Sequence, residues 1–420
     1  MPPITLAVLG GSGVSTPELF HALLHWPGDA RPKLRVVLLG RSERKLERVR
    51  QISQKLVRKA NALIEVTSTT NWRAGLAEAD YVLNQVRIGG LAARAHDETF
   101  PQALGIAGEE TIGPGGFANA VRTIPPVLES LRLVSEVAPQ AVVLNLTNPA
   151  GMVQHAAARY THTNFISLCD SPTTLAEEVA KLVELPREEV HIDYLGMNHL
   201  GWITDVQSTG RDLMDRALER IEQHPSLGVD SPYIRATRAI PISYVRYYLY
   251  PERMLAQQQG KAPRARQLQT LEKKLLTVFE QAARDGDPSV ALGRRGALWY
   301  SAIVVPVLDS MINDRQSIQV VNVVNKGQIP WLPSETVIEV PARIGKHGIQ
   351  PLPVPVGTLS ADLRALLYAQ AAYESLAVAA IVERKRELAL QALFAHPLIR
   401  SLEQAEAVLQ VVWPTGGVEV

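Results

Sequence analysis

The stretch that decides the fold is Ile4-Thr5-Leu6-Ala7-Val8-Leu9-Gly10-Gly11-Ser12-Gly13, followed shortly by Thr16-Pro17-Glu18. Residues 4–9 predict a short apolar strand, and a capping residue type with proline at the first helical position predicts a helix start. A strand, a glycine turn and a helix N-terminus can bind a pyrophosphate through free backbone N–H groups and the helix dipole. Gly10, Gly11, Ser12 and Gly13 are therefore candidate cofactor-binding residues. Because Thr16 stands at the third glycine position of the dinucleotide fingerprint, a purely structural turn is the alternative.

The residues after the second predicted strand, 34–39, bear on which nucleotide is held. An NAD site normally places Asp or Glu here, where it accepts hydrogen bonds from the ribose 2′-OH. This chain has Gly40-Arg41-Ser42 instead. An arginine and a hydroxyl suit a 2′-phosphate, so Arg41 and Ser42 are candidate cofactor residues that favour NADP. The alternative is that Arg41 is a solvated charge at a helix start.

Strands and helices continue to alternate along the first 170 residues. Helices are predicted at residues 42–59 and 119–137, and strands at 63–68, 79–84, 141–146 and 165–168. This alternation predicts an α/β fold, a Rossmann-like doubly wound parallel sheet with helices on both faces. We assign residues 1–170 to an NAD(P)-binding domain and residues 171–420 to a second, mixed α/β (α+β) domain for catalysis, substrate binding and oligomerisation.

Three polar or glycine-rich segments are predicted to be loops. Residues 87–98 and 109–116 are expected to cover a ligand, since long glycine-rich loops inside a compact domain are uncommon unless they serve a function. Residues 257–269 are expected to form an exposed loop. Later in the chain, residues 320–325 and 337–340 are rich in strand formers, and 358–387 predict a long helix with a buried stripe.

The composition excludes several classes of protein. The 420 residues carry a net charge of +1 with both signs interspersed, so neither nucleic acid nor an anionic membrane is expected as a partner. One cysteine permits no internal disulfide and suits a reducing compartment, and the N-terminus reads as a strand and not a signal peptide. No apolar run is expected to approach the ~20 residues of a membrane span. We expect a cytoplasmic protein.

Cys169, the only cysteine, and His199 each follow a predicted strand. A thiolate and a neutral imidazole, each at the end of a predicted strand, can converge on one divalent transition metal. The alternative is that both are ordinary buried residues, since single cysteines and histidines are most often core side chains.

Taken together, the motifs make the chain resemble glycoside hydrolase family 4, the NAD- and metal-dependent glycosidases, and within it the 6-phospho-β-glucosidase branch. Besides the glycine turn, the resemblance is carried by Arg87-Ile88-Gly89-Gly90, Glu110-Thr111-Ile112-Gly113-Pro114-Gly115-Gly116-Phe117, Thr147-Asn148-Pro149-Ala150-Gly151, Cys169-Asp170-Ser171-Pro172, Asn198-His199, Tyr244-Val245-Arg246-Tyr247-Tyr248, Arg295-Gly296-Ala297, Tyr300-Ser301 and Val340-Pro341. These matches cover nearly the whole chain and occur in the family's order.

The resemblance implies roles for individual residues. Cys169 and His199 would bind Mn²⁺ or another divalent metal, Tyr244 would take the C2 proton, and Glu110 would raise the basicity of Tyr244. Asp170 falls where the family places either an acid or an amide. The substrate-contacting positions implied are Arg87, Arg94, Asn148, Asn198 and Arg295, with Arg295 suited to a 6-phosphate because a guanidinium offers paired donors.

The implied reaction is a redox-neutral hydrolysis, distinct from that of glycosidases with two carboxylates. The resemblance implies oxidation at C3 by bound NAD (or NADP), loss of the C2 proton, elimination of the aglycone, addition of water and return of the hydride. The expected substrate is a phosphorylated disaccharide or glycoside, and we expect a homodimer or homotetramer.

Other functions stay open on the sequence alone. Asp170 resembles the α-glycosidase branch, where this residue protonates the leaving group, so α-linked or unphosphorylated glycosides are alternatives. A net NAD(P)-dependent 2-hydroxyacid-type dehydrogenase shares the nucleotide domain but needs no Cys and His pair. A nucleotide-binding sensor without catalysis would not need Tyr244.

Overall fold

The computed structural model describes residues 2–28, 30–223, 228–284, 286–355, 357 and 359–413. Its strands are β1 (Ile4–Leu9), β2 (Leu34–Leu39), β3 (Ile64–Thr69), β4 (Tyr81–Asn84), β5 (Val142–Asn145), β6 (Asn164–Ser167), β7 (His191–Met197), β8 (Leu200–Ser208), β9 (Arg211–Asp212), β10 (Ile240–Pro241), β11 (Ser317–Val324), β12 (Val337–Gly345) and β13 (Gly348–Pro351).

The helices are α1 (Thr16–Leu24), α2 (Glu43–Lys59), α3 (Trp72–Leu76), α4 (Gly90–Asp97), α5 (Phe100–Ala103), α6 (Gly113–Val137), α7 (Ala150–Tyr160), α8 (Ser171–Val183), α9 (Met214–Glu219), α10 (Ser231–Thr237), α11 (Arg246–Leu249), α12 (Pro251–Gln258), α13 (Arg264–Arg284), α14 (Val305–Asn313), α15 (Ala361–Glu383), α16 (Arg386–Ala395) and α17 (Leu402–Val412). A 3₁₀ turn at Ser243–Val245 and a π-helical turn at Tyr300–Val304 carry residues of the site.

The predicted parallel sheet is confirmed. Six strands lie in the order β3-β2-β1-β4-β5-β6, and every neighbouring pair among them is parallel. The order reverses direction at β1, so the carboxyl ends of β1 and β4 flank the crevice in which open α/β sheets bind ligands. The glycine turn after β1 therefore opens into that crevice.

Helices cover both faces of the parallel sheet, as doubly wound folds require. On one face, α1, α2, α13 and α14 bury the apolar side chains of β1 and β2. On the other face, α6, α7 and α15 to α17 pack against the same strands. A third apolar cluster lies among β7, β8, α8 and α9.

The sheet continues into the second half of the chain through antiparallel pairs. Strand β11 joins β6 through one residue pair, Asn322 with Ser167, and β12 joins β7 through Glu339 with Gly196. The two halves of the chain thus share one sheet. Ser167, Asn322, Glu339 and Gly196 are paired in turn across the four strands at the junction between the halves. The assignment of residues 1–170 and 171–420 to two domains stays a prediction.

Both predicted ligand-covering loops are partly helical. Residues 90–97 form α4, which Gly89 enters with a left-handed φ of 74°. Helix α6 begins at Gly113, six residues before the predicted start. A Cβ on Gly115 would lie 2.2 Å from the carbonyl oxygen of Glu109. Glycine is thus used here for close packing of a helix start and not for loop flexibility.

The predicted exposed loop at residues 257–269 is confirmed only for residues 259–263, because α12 extends to Gln258 and α13 begins at Arg264. The long helix near the C-terminus is confirmed as α15, while Thr358, where its predicted range starts, lies outside the described residues. By length and composition alone α15 is apolar enough to cross a membrane, contrary to the sequence expectation. In its most apolar window, however, 56% of the residues are buried in the protein, as in the core helix of a soluble fold.

Candidate active site

The glycine turn is tightly fitted between neighbouring strands. Gly10 has a φ of 82°, and a Cβ there would lie 2.9 Å from the carbonyl oxygen of Gln85 after β4. A Cβ on Gly11 would lie 2.9 Å from the Cβ of Leu38 in β2. Helix α1 starts at Thr16, and the N–H groups of Thr16 and Glu18 in its first turn donate to backbone carbonyls. Among the described residues, the backbone N–H groups of Ser12 and Ser15 in the turn have no acceptor and are left to a ligand. These residues therefore fit a dinucleotide pyrophosphate, which such a turn binds through backbone N–H groups.

Tyr300 connects this turn to the second half of the chain. Its hydroxyl oxygen lies 2.6 Å from Oε1 of Gln85 and 3.2 Å from Oγ of Ser15. The Tyr300-Ser301 motif thus helps to fix the nucleotide turn. Arg41 and Ser42 follow β2, which lies next to the glycine turn but on the opposite side of β1 from β4, β5 and β6.

His199 lies in the tight turn between β7 and β8, with a left-handed φ of 62°. Its Nδ1 lies 2.7 Å from Oγ1 of Thr111, and that hydroxyl donates to Oε2 of Glu109 at 2.5 Å. Because the hydroxyl proton goes to the carboxylate, the hydroxyl oxygen accepts from the imidazole, which places the ring proton on Nδ1. Burial lowers the pKa of His199 to about 4, so the ring is neutral. The Nε2 lone pair is then available to a metal.

Cys169 and Asp170 follow β6 at the start of α8. Burial raises the pKa of the Cys169 thiol, and the charges of Glu339 and Asp170 raise it further. A thiolate would therefore form here only beside a cation, which suits a metal ligand. Asn148 is half-buried at the carboxyl end of β5, the strand next to β6, as the sequence predicts.

Tyr244 contacts one of the proposed metal ligands, His199, and lies near the other, Cys169. Its ring stacks on that of His199 with centroids 3.8 Å apart and planes 10° apart. Burial raises its pKa well above 10, and the charges of Glu109, Cys169 and Glu110 add to the effect. The phenolate of Tyr244 is thus strongly basic. A cation bound at His199 and Cys169 would lower the pKa of Tyr244 and favour the phenolate.

Glu110 is buried between two of the predicted substrate-contacting arginines. It pairs with Arg87, and its Oε1 lies 2.5 Å from Nη1 of Arg94. Burial alone would raise the pKa of Glu110, but Arg87 and Arg94 outweigh burial and lower it. Arg94 also donates from Nε to Oε1 of Glu98 at 2.6 Å. The Glu110 carboxylate is therefore charged and fixed in place, and Arg94 is held by two carboxylates.

A cavity of about 810 Å³ lies beside these groups. It is lined by Arg94, Glu109, Asp170 and Tyr244, and by the basic residues Arg246, Lys261 and Arg264. Burial raises the pKa of Asp170, as a carboxyl group that acts as a proton donor requires.

Arg295 lies close to this basic group. Burial lowers the pKa of its guanidinium, and the nearby Arg94 and Arg87 lower it further. Its guanidinium lies 5.4 Å from the centre of the Trp299 ring, and among the described residues no carboxylate pairs with it. A buried arginine surrounded by like charges is stabilised by a bound anion.

Glu339 is a fully buried carboxylate that sequence reasoning missed. It accepts from Tyr194 Oη at 2.9 Å, Asn322 Nδ2 at 3.0 Å and Asn198 Nδ2 at 3.3 Å. Asn322 also donates to the carbonyl oxygen of Ser167 at 3.2 Å. The network thus ties the strand before Cys169 to the turn that carries His199, and it turns the Asn198 amide toward Glu339.

Glu109 and Thr111 are further site residues that the sequence did not single out, although an acidic pair next to a hydroxyl is a visible signal. For Glu339 the signal is a single acid in the otherwise apolar run Val337-Ile338-Glu339-Val340. Among the described residues, no group of three or more His, Cys, Asp and Glu side chains could hold a metal. A metal held by Cys169 and His199 alone would therefore keep coordination positions open for substrate or water.

Comparison with known proteins decides which family this geometry represents. The model of the family 4 glycosyl hydrolases matches residues 6–185, and the model of their C-terminal domain matches residues 194–399. The chain belongs to glycosyl hydrolase family 4. It is thus a glycosidase by family, as its sequence resemblance predicts. Family membership does not favour the net dehydrogenase or the sensor.

Relatives of both anomeric branches are similar over almost their whole length. A probable 6-phospho-β-glucosidase of Bacillus subtilis is 31% identical, with 97% of this chain and 95% of the relative covered. The 6-phospho-β-glucosidase of Thermotoga maritima, solved with manganese, NAD⁺ and glucose-6-phosphate, is 29% identical with a TM-score of 0.87 and 97% of each chain covered. A 6-phospho-α-glucosidase from gut microorganisms, solved with NAD and glucose-6-phosphate, is 25% identical with a TM-score of 0.87, covering 98% of this chain and 99% of that one.

Proposed function

We propose that this family 4 glycosidase hydrolyses 6-phospho-β-glucosides, using a bound nicotinamide dinucleotide and a divalent metal such as Mn²⁺. The observation that carries the proposal is the stacking of Tyr244 on His199, near Cys169, together with the buried guanidinium of Arg295, which has no carboxylate partner among the described residues. The names of the Bacillus subtilis and Thermotoga maritima relatives support the same substrate class.

The metal would be held by Sγ of Cys169 and Nε2 of His199. When bound, it supplies a positive charge that polarises a substrate carbonyl and favours deprotonation of nearby groups, and the nicotinamide supplies reversible hydride transfer. The hydrogen bond from Nδ1 of His199 to Thr111 keeps the Nε2 lone pair directed away from Thr111. Burial raises the pKa of the Cys169 thiol and keeps it protonated. The positive charge of the metal would lower that pKa and favour the thiolate.

Tyr244 is the residue that we assign to remove the C2 proton of the sugar. Its phenolate is made strongly basic by burial and by Glu109 and Glu110, and the fixed ring stacking holds its orientation. Asp170, whose pKa is raised by burial, lines the same cavity and is suited to protonate the leaving group.

Phosphate recognition is assigned to Arg295. Arg94 is already committed to Glu98 and Glu110, whereas Arg295 has no carboxylate partner among the described residues. A bound phosphate would offset the repulsion among Arg295, Arg94 and Arg87, and a guanidinium can donate two parallel hydrogen bonds to it. Arg87, Asn148 and Asn198 are proposed to shape the sugar site around it.

The test is hydrolysis of α- and β-linked nitrophenyl glycosides, each with and without a 6-phosphate, in the presence of Mn²⁺ and a nicotinamide dinucleotide. We expect turnover of the 6-phospho-β-glucoside, and none after the metal or the nucleotide is removed. Turnover of only the α-linked series would favour the alternative that Asp170 suggests. Net accumulation of reduced nucleotide with no released nitrophenol would reject the glycosidase proposal.

The wider organisation is also proposed. Residues 1–170 would form the nucleotide-binding domain and residues 171–420 the domain that completes the site. A homodimer or homotetramer is supported by large exposed apolar side chains on the C-terminal helices, namely Tyr368, Phe394, Leu402 and Val411. A cytoplasmic location is supported by the substrate, because a phosphorylated sugar is charged and does not cross a membrane unaided. Light scattering after size exclusion would establish the number of subunits.

A further inference from the structure

The carboxyl end of β2 lies directly beside the nucleotide turn. Gly11 donates its backbone N–H to the carbonyl oxygen of Leu39 at 2.8 Å, and a Cβ on Gly40 would lie 3.1 Å from Oγ of Ser12. In a dinucleotide fold the pyrophosphate lies over the glycine turn, and the adenosine ribose reaches this end of β2. Residues 40–42 are therefore positioned to meet the ribose 2′ substituent.

This corner presents cations where an NAD site presents a carboxylate. The side chains of Arg41 and Arg44 are exposed, and among the described residues neither makes an ion pair or a hydrogen bond. Other cations of α2 are fixed elsewhere. Lys45 is paired with Glu272 of α13 at 2.9 Å, and Arg48 is paired with Glu280.

Ser42 and the start of α2 add hydrogen-bond donors. Oγ of Ser42 accepts from the backbone N–H of Lys45 at 3.4 Å, which leaves the hydroxyl proton free to donate. The nearest acid in sequence, Glu43, lines the groove between α2 and β3. Glu47 lines the same groove and is bound by Arg50, so both acids face β3.

We propose that this enzyme binds NADP(H) in preference to NAD(H), with the 2′-phosphate held by the guanidinium of Arg41 and the hydroxyl of Ser42. A phosphate dianion pairs with an arginine through two parallel hydrogen bonds and is favoured at a helix N-terminus, whereas the usual carboxylate would repel it. This inference rests on the proposed function, which requires a nicotinamide dinucleotide.

The test is direct titration of the purified protein with NADPH and with NADH, followed by nucleotide fluorescence, without substrate or metal. We expect NADPH to bind roughly 10–100-fold more tightly, the equivalent of one charged hydrogen-bonded pair. Arg41→Glu should weaken NADPH binding by a similar factor and leave NADH binding unchanged or stronger. The matched control is Arg50→Ala, an arginine on the same helix already bound by Glu47, and it should leave the ratio unchanged.

Each outcome bears on one of the two proposals. Equal or tighter binding of NADH by the wild-type protein would overturn the NADP preference and leave the proposed function standing. An Arg41→Glu variant that loses affinity for both nucleotides equally would overturn the 2′-phosphate contact. If neither NADPH nor NADH binds, the proposed function itself is overturned.

Discussion

Replacement of Thr111 by valine should weaken binding of the divalent metal without moving either proposed ligand. Valine keeps the shape and the backbone N–H that donates to Glu109 at 2.5 Å, but it removes the hydroxyl that accepts from Nδ1 of His199 at 2.7 Å. The ring can then place its proton on Nε2 or rotate, and metal binding must reverse that change.

Two contacts of the hydroxyl are lost, one with Nδ1 of His199 and one with Oε2 of Glu109, and the effect on metal affinity follows from the first. Loss of a hydrogen-bond partner to a metal-ligating histidine typically costs 10–100-fold in metal affinity, or about 1.4–2.7 kcal/mol. The unpaired buried N–H should also lower the free energy of unfolding by roughly 1–3 kcal/mol.

Titration with Mn²⁺, followed by the electron paramagnetic resonance signal of the free ion, measures the first effect, and urea unfolding measures the second. Thr111→Ser retains the hydroxyl and should bind Mn²⁺ much like the wild type. If Thr111→Val binds Mn²⁺ as tightly as the wild type, the proposed orientation of His199 is refuted. If Thr111→Ser is impaired as strongly as Thr111→Val, the methyl group and not the hydroxyl is responsible.

Four further substitutions test other parts of the protein. Tyr244→Phe should keep the fold and metal binding but lower turnover by roughly 10²–10⁴-fold. Product that the wild-type enzyme forms in D₂O should carry deuterium at C2, and absence of that label would reject the proposed abstraction of the C2 proton. Cys169→Ser should abolish activity in a folded protein, and Mn²⁺ affinity of the wild type should fall as pH drops because the thiol must lose its proton; full activity of the variant would reject Cys169 as a ligand. Arg295→Ala should raise the Michaelis constant for phosphorylated substrates and reduce the ratio of their kcat/KM to that of unphosphorylated substrates. An unchanged ratio would show that Arg295 does not bind the phosphate. Glu374 is a buried carboxylate of α15 that accepts from Nε2 of Gln370 at 3.0 Å, and burial raises its pKa from 4.5 to about 7. Its contribution to stability is therefore present below pH 4.5 and is lost as pH rises to 7, by up to about 3 kcal/mol; the free energy of unfolding of Glu374→Gln in urea should depend less on pH over that range, and a pH profile identical to that of the wild type would contradict the raised pKa.

The sequence by itself determined the parts of this protein that depend on neighbouring residues. The strand, glycine turn and helix start from Ile4 to Glu18 are local, because each element is set by side chains within a few positions of it. The same holds for Gly40-Arg41-Ser42, whose charge and lack of an acid are visible without a structure. Family resemblance supplied the proposed roles of Cys169, His199 and Tyr244, which composition and spacing could not assign.

Tertiary structure alone decided how those residues are held. Thr111 and His199 are 88 positions apart, and Glu339 lies 141 positions from Asn198, so no local pattern could pair them. The glycines of residues 113–116 look like a flexible loop in sequence, but close packing against the backbone of Glu109 makes them the first turn of α6. Such contacts depend on which strands become neighbours in the sheet, and the pairing of β11 with β6 and of β12 with β7 is fixed only when the whole chain has folded.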